Sequence, residues 1–170
     1  MRLWLVRHGA TRWSEEGRLC GWSDVPLSST GREQAVFLRP RLERQVFDGV
    51  WTSDLARAAE FAPLVVGDAT SDLRLRELDF GELEGRSWHE CDQPTRDALI
   101  RFDGFAAPGG ESVAELEERL EGFLSGLVPG DHLIFTHGGV VRLLARRQGA
   151  AISPAPGELT MLAWGGIGAE

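Results

Sequence analysis

The hydrophobic pattern changes its period several times along the chain, and two of its apolar runs end alike. Leu3-Trp4-Leu5-Val6 is continuous, short, and stops at Arg7-His8-Gly9. A run of that length bounded by a turn residue predicts a strand buried on both faces. Leu133-Ile134-Phe135 repeats the design and stops at Thr136-His137-Gly138-Gly139. Each predicted strand therefore delivers an imidazole at its carboxyl end.

Between these runs the pattern turns helical. Ala10 to Ser29 is rich in Gly, Ser, Trp and charge and predicts a loop. Thr30 and Glu33 have capping-box spacing, and Ala35, Leu38, Leu42 and Val46 follow at steps of three and four, which predicts a helix. Pro40 falls inside it; an interior proline costs roughly 3 kcal/mol, so a kink or a split into two pieces is expected. Gly49 to Thr52 predicts a second buried strand, and Ser53 an N-cap for a helix over Asp54 to Ala62 that Pro63 ends. Leu64-Val65-Val66 and Leu73-Arg74-Leu75 are weaker strand candidates around a turn. Arg76 to Gly85 mixes charge, glycine and aromatic groups in the manner of a functional loop.

Trp88 to Phe105 predicts helix in part, broken by Pro108-Gly109-Gly110. A second capping box, Ser112 with Glu115, opens a stripe of Val113, Leu116, Leu120, Phe123, Leu124 and Leu127. Pro129-Gly130-Asp131 separates that helix from the strand His132 to Thr136. A helix over Val140 to Arg147 and a last strand over Thr160 to Trp164 complete the reading. Strands alternating with helices across short connections predict one domain over residues 1–170, a three-layer α/β/α fold with a mostly parallel central sheet. Ligands of such sheets bind beyond the carboxyl ends of the strands, where both His8 and His137 fall.

Composition narrows the chemistry. With 42% hydrophobic and 26% charged residues the 170-residue chain is an ordinary globular one. No apolar stretch is long enough to span a bilayer, the first residues already read as strand rather than signal peptide, and a cytoplasmic location without membrane attachment is expected. The net charge of -8 argues against nucleic acid as a partner. Every basic residue but histidine is arginine; the absence of lysine removes Schiff-base chemistry and P-loops. Cys20 and Cys91 form neither a disulfide framework nor a zinc spacing, and free thiols in a reducing compartment are expected.

Two histidines at strand ends could each be a satisfied structural residue, but two such accidents would be needed at once. Metal binding is the next alternative. No histidine pair has helical i, i+4 spacing, and an arginine beside His8 would repel a cation. The same arginine suits an anion, because a guanidinium matches phosphate oxygens and keeps its charge. Phosphoryl transfer through a histidine needs a neutral imidazole, fixed cationic donors around the moving group, and an acid for the leaving oxygen. Arg7 is the first donor candidate, and a helix N-terminus after Gly138 would add backbone amides.

The ordered motifs resemble the histidine phosphatase superfamily, also called phosphoglycerate mutase-like. They are Leu5-Val6-Arg7-His8-Gly9-Ala10-Thr11, Pro26-Leu27-Ser28 with Gly31 and Gln34-Ala35, Ser53-Asp54-Leu55 with Arg57-Ala58, Leu75-Arg76-Glu77-Leu78 with Phe80-Gly81 and Leu83-Glu84-Gly85, Pro108-Gly109-Gly110-Glu111-Ser112, and Thr136-His137-Gly138-Gly139-Val140-Val141-Arg142. The resemblance implies a phosphoglycerate mutase-like fold and no cofactor. It makes His8 the phosphate acceptor, Arg7, Arg57 and His137 the rest of the phosphate pocket, and Glu77 the proton donor that later activates water. Arg57 could alternatively be a solvated helix arginine, and Glu77 could simply pair with Arg74 or Arg76. Two positions depart from the family pattern: Ser14 stands where an asparagine is common, and Cys20 where a polar group precedes Gly21. Ser14 can still donate one hydrogen bond to a phosphate oxygen, whereas Cys20 is a poor donor.

Of the aromatic residues, Trp4, Trp51 and Trp164 are expected to pack within strands, Trp13, Trp22 or Trp88 to line the pocket, and Phe102 and Phe105 to belong to a cover. The resemblance implies a phosphomonoesterase acting on a small-molecule phosphate ester. Family mutases carry an extra segment between the glutamate motif and the second histidine, and this interval is compact here. Among the phosphatases, the opening residues and Pro-Gly-Gly-Glu-Ser look most similar to the α-ribazole phosphatase subfamily. A mutase and a silent phosphate binder are the competing readings. The sequence leaves the oligomeric state open, a homodimer included.

Overall fold

The computed structural model describes residues 1–165. Strands β1 (Arg2–Arg7), β2 (Gly49–Thr52), β3 (Thr70–Ser71), β4 (Asp131–Thr136) and β5 (Leu159–Ala163) form one sheet in the order β3-β2-β4-β1-β5. The first four are parallel, and β5 runs antiparallel to β1 along the edge. The helices are α1 (Arg12–Glu15), α2 (Ser29–Leu42), α3 (Ala56–Val65), α4 (Gln93–Arg101), α5 (Val113–Leu124) and α6 (Gly138–Arg147).

Alternation along the central strands splits the core between the two faces of the sheet. Leu3, Leu5 and Ile134 pack with Leu116, Leu120 and Phe123 of α5 and Val140, Val141 and Leu144 of α6. Val6, Leu133 and Phe135 pack with Ala35, Leu38 and Leu42 of α2 and Phe61 and Val65 of α3. Each fully buried Leu or Phe contributes about 1.5–3 kcal/mol, so both faces hold the sheet. The result is the expected α/β/α sandwich with a mostly parallel sheet. No helix among the described residues is long and apolar enough to cross a membrane.

Several local expectations are corrected. The loop after β1 contains the short helix α1, capped by Thr11. The N-cap of α2 is Ser28, whose hydroxyl accepts from Gly31 N–H, so the Thr30–Glu33 box does not form. Pro40 does not split α2: it lies in the last turn on the exposed face, and only one helical hydrogen bond is forgone. Val46 lies beyond the helix and is exposed. In α3 the first residue is Ala56 and Pro63 sits inside near the C-terminus, so Leu64 and Val65 are helical rather than strand. Asp24 takes the cap, accepting from Ala56 N–H at 2.7 Å, and Ser53 is left free for another partner. Leu73–Leu75 is a 3₁₀ turn, and the strand of that region is Thr70–Ser71.

Candidate active site

The register of β1 on β4 sets the centre of the site. Arg7 is paired with Thr136, so the residues that follow, His8 and His137, emerge side by side beyond the carboxyl ends of two adjacent strands. His8 N–H donates to the Thr136 carbonyl at 2.9 Å, and the two ring centroids are 5.1 Å apart. Gly9 is required next: a Cβ there would lie 2.5 Å from the Gly31 carbonyl and 2.7 Å from the Phe61 ring.

His8 Nδ1 is 2.7 Å from the Gly9 carbonyl. A carbonyl only accepts, so Nδ1 carries the proton and Nε2 keeps its lone pair. Burial, followed by the positive field of Arg57, holds the His8 imidazole well below its ordinary pKa and therefore neutral. Arg57 Nε–H donates to Nε2 at 3.2 Å.

Arg57 is no solvated helix residue. It is fully buried in the first turn of α3 and has no carboxylate partner among the described residues. Its remaining donors reach backbone carbonyls, Ser23 at 3.0 Å, Gly21 at 2.6 Å and Cys20 at 3.4 Å. That carbonyl loop is held by Glu84, which accepts from the amides of Trp22 at 2.8 Å and Ser23 at 3.3 Å. A buried cation without a counter-ion is costly, and an arriving anion relieves the cost. Arg7 repeats the situation: Nη1 donates to the Pro154 carbonyl at 2.8 Å, and the buried Nε has no partner. Burial lowers its pKa from the usual guanidinium value.

His137 caps α6 and is fully buried. Its Nε2 lies 2.8 Å from Ser53 Oγ, and Nδ1 has no partner. Burial, then Arg57 and His8, depress its pKa well below the ordinary value. Glu77 stands on the loop after the 3₁₀ turn, its two oxygens accepting from Leu78 N–H and Gly139 N–H, both at 2.9 Å. It pairs with neither Arg74 nor Arg76, whose guanidinium groups go to Asp72 and Asp54. Arg119 fixes that loop by donating to the carbonyls of Arg74, Arg76 and Glu77 while paired with Glu111 of the Pro-Gly-Gly-Glu-Ser motif.

The structure thus gathers His8, Arg7, Arg57, His137 and Glu77, and assigns the outer residues differently from expectation. Ser14 lines the cavity, but its hydroxyl donates to the Thr11 carbonyl and accepts from Thr11 N–H, each at 2.9 Å. Its single proton closes the cap of α1 rather than reaching a phosphate. Gly21 is buried outside the cavity wall and serves through its carbonyl on Arg57. Cys20 lines the cavity with its thiol donating to the Ser23 carbonyl at 3.7 Å, and burial pushes its pKa up to about 11, so it stays protonated. Gly138 opens α6 beside the Arg7 guanidinium, where a Cβ would make ordinary contact at 3.4 Å. Gly139 is the constrained one, because a Cβ there would collide with the Glu77 carboxylate.

Above these groups lies a cavity of about 930 Å³ walled by Leu19, Phe80, Trp88, Leu99, Phe102 and Ile152. Trp88 is the expected tryptophan of the wall, Trp22 instead donates its indole N–H to the Glu77 carbonyl, and Phe105 belongs to the core. Four arginines not singled out for chemistry also border the cavity, Arg18, Arg101, Arg142 and Arg146. Arg142 reaches the Leu99 and Ile100 carbonyls and stacks on Phe102 at 4.8 Å. Arg146 holds the Arg101 and Phe102 carbonyls and pairs with Asp103. The i, i+4 spacing of Arg142 and Arg146 after His137-Gly138-Gly139 was the available signal for these two.

Comparison with known proteins agrees with this geometry. Residues 3–156 match the family model of the histidine phosphatase superfamily, branch 1. A protein of Salmonella typhi provisionally named phosphoglycerate mutase GpmB is 38% identical over 134 residues, covering 74% of this chain but only 62% of that protein. Among solved structures, TTHB049 of Thermus thermophilus superposes with a TM-score of 0.90 at 43% identity, over 96% of this chain and 94% of that one. An Escherichia coli K-12 protein provisionally assigned as an alpha-ribazole-5'-P phosphatase gives 0.79 at 30% identity, over 95% and 89% of the two chains.

Proposed function

The chain belongs to the histidine phosphatase superfamily, and from that premise we propose that it is a metal-independent phosphomonoesterase working through a phosphohistidine on His8. The observation that carries the proposal is the neutral His8 imidazole, its Nδ1–H spent on Gly9 and its Nε2 facing a buried guanidinium that has no carboxylate. A phosphate ester entering the site takes over the Arg57 donor that now rests on Nε2. Arg7, Arg57, His137 and the first turn of α6 then surround the equatorial oxygens, where charge gathers in the transition state. Nε2 attacks phosphorus as the P–O ester bond breaks, and the Gly9 carbonyl steadies the imidazolium. Glu77, the one carboxylate among the residues lining the cavity, gives its proton to the leaving oxygen. It then takes a proton from water, whose oxygen displaces phosphate from Nε2 and restores neutral His8.

The cavity wall supports a leaving group larger than a phosphoglycerate. Its surface is largely apolar and aromatic, and of the arginines that border it beyond Arg7, Arg142 and Arg146 are held by carbonyls and Arg18 by Glu16 and the Gly85 carbonyl, while Arg101 is exposed at the rim. A small-molecule ester with a ring-bearing alcohol, α-ribazole 5'-phosphate among them, fits such a wall. Two free thiols, Cys20 and Cys91, are consistent with a cytoplasmic setting. The second reading is a cofactor-dependent phosphoglycerate mutase, favoured by the names that several relatives carry.

Purified protein assayed with an aryl phosphate, α-ribazole 5'-phosphate, and 3-phosphoglycerate plus 2,3-bisphosphoglycerate separates these readings. Hydrolysis of the first two in the presence of EDTA, a base-stable and acid-labile label on the His8 peptide after quenching, and little 2-phosphoglycerate are expected. Fast 2-phosphoglycerate formation overturns the phosphatase reading, and full reversible loss on chelation overturns metal independence.

A further inference from the structure

Ser53 follows β2 at the point where β2 lies beside β4, and its backbone N–H donates to the Phe135 carbonyl at 2.9 Å. That places its side chain against His137, Oγ to Nε2 at 2.8 Å, with both residues fully buried. The cap role expected of Ser53 passes to Asp24, so the hydroxyl is available for the imidazole.

A serine hydroxyl has one proton to give and can accept two hydrogen bonds. Ser53 Oγ accepts from Leu55 N–H at 3.3 Å. Suppose His137 carried its proton on Nε2 and donated it to Oγ. The serine proton would then have no acceptor, and the lone pair of Nδ1, which has no partner, would be stranded as well. Two buried groups would go unmet. In the other arrangement Ser53 donates to Nε2, the hydroxyl is satisfied in both directions, and only Nδ1–H remains. Buried polar groups are paired wherever the structure allows it, and a lone N–H beside Arg7, Arg57 and His8 is the one group that an anion satisfies. Burial and the neighbouring Arg57 keep the ring in a single-proton state, so a choice of tautomer exists to be made.

We propose that Ser53 is a positioning residue: by donating its hydroxyl proton to His137 Nε2 it fixes the Nδ1–H tautomer and so turns His137 into a hydrogen-bond donor for the bound phosphate. Without that proton the ring can take the opposite tautomer, which presents a lone pair to an anion and repels it. The proposal rests on the phosphohistidine reading only for the identity of the anion; the tautomer is a property of the resting protein.

Long-range ¹H–¹⁵N correlation spectra of ¹⁵N-histidine-labelled protein test it, with His137→Gln supplying the assignment. The expected pattern is a pyrrole-type Nδ1 and a pyridine-type Nε2 for His137, with Nδ1–H exchanging more slowly once inorganic phosphate is added. Ser53→Ala is expected to populate both tautomers and to lower kcat/KM for an aryl phosphate about tenfold, the loss of one hydrogen bond, while Ser53→Thr retains the Nδ1–H form. A pyrrole-type Nε2 in the wild-type protein, or an unchanged tautomer in Ser53→Ala, overturns the proposal. A protein with the Nδ1–H tautomer and no label on His8 would keep this inference and lose the preceding one.

Discussion

The chain places a histidine after each of two adjacent parallel strands, yet the two rings sit in different surroundings. His8 lies on the cavity wall, anchored through Nδ1 by the carbonyl of its own neighbour, with Nε2 turned to Arg57. His137 lies beneath it, fully buried, anchored through Nε2 by the serine that follows a third strand, with Nδ1 left over. One ring offers a lone pair and the other an N–H. In the mechanism proposed above, the same motif of strand, histidine and glycine supplies a nucleophile in one place and a donor in the other, and the difference comes from which nitrogen the scaffold occupies.

The largest effect should come from exchanging the rings for side chains without their chemistry. His8→Ala is expected to lose aryl phosphate turnover by about 10⁴-fold or more, as for loss of a nucleophile, whereas His137→Gln loses about 10²–10³-fold, as for one transition-state donor. Steady-state rates of the two purified variants check this, and equal losses would erase the distinction.

The glycines sharpen the comparison next. Gly139→Ala drives a methyl group into the Glu77 carboxylate, while Gly138→Ala meets only ordinary contact with Arg7. We expect kcat to fall about 10²-fold in the first, the scale of an ångström's misplacement, and to stay within about threefold in the second by the same argument. A crystal structure of Gly139→Ala should show the carboxylate displaced.

The smallest effect concerns what the rings share. Burial depresses both imidazole pKa values, so below about pH 6.5 the unfolded chain binds protons that the folded one refuses. Stability is fully present above that pH and is lost as pH falls toward the folded-state values. His8→Gln and His137→Gln should each flatten the decline of Tm between about pH 6.5 and 4.5. If the Tm of His8→Gln falls as steeply over that range as that of the wild-type protein, the neutral-imidazole description fails.

Much of this was legible before folding was considered. β1 and β4 are buried on both faces and so appear as unbroken apolar runs, and α5 carries a strict helical stripe behind a true capping box. Arg7, His8 and His137 follow from those strands and their ends, whereas Arg57 on α3 and Glu77 on a loop were indicated only by the resemblance to the histidine phosphatase superfamily. The misreadings have local causes. A proline near a helix C-terminus is tolerated, so Pro63 did not end α3, and Leu64-Val65-Val66 looked like a strand only because β-branched residues suit both states when the helix face is buried. Residue type alone suggests Ser14 as a phosphate donor, whereas its proton is claimed by a turn only three residues long. The supports were out of reach for another reason. Ser53 meets His137 across 84 positions, and Arg119 meets Glu77 across 42, so neither contact leaves a local period to detect.

The sheet order carries a consequence for how this site comes into being. β1 has only β4 and β5 as neighbours, and its partner residues lie 129 positions away, as for Arg2 and Asp131. The strand that bears His8 is thus made early and paired late, since closing so long a loop precedes any reward from its contacts. Until β4 arrives, Leu3-Trp4-Leu5-Val6 is an apolar segment without a ladder, the kind of edge that invites wrong pairing. Docking of β4 ends that exposure and brings His137 to His8 in the same event. The pairing that builds the centre of the sheet is thus the one that sets the two imidazoles side by side.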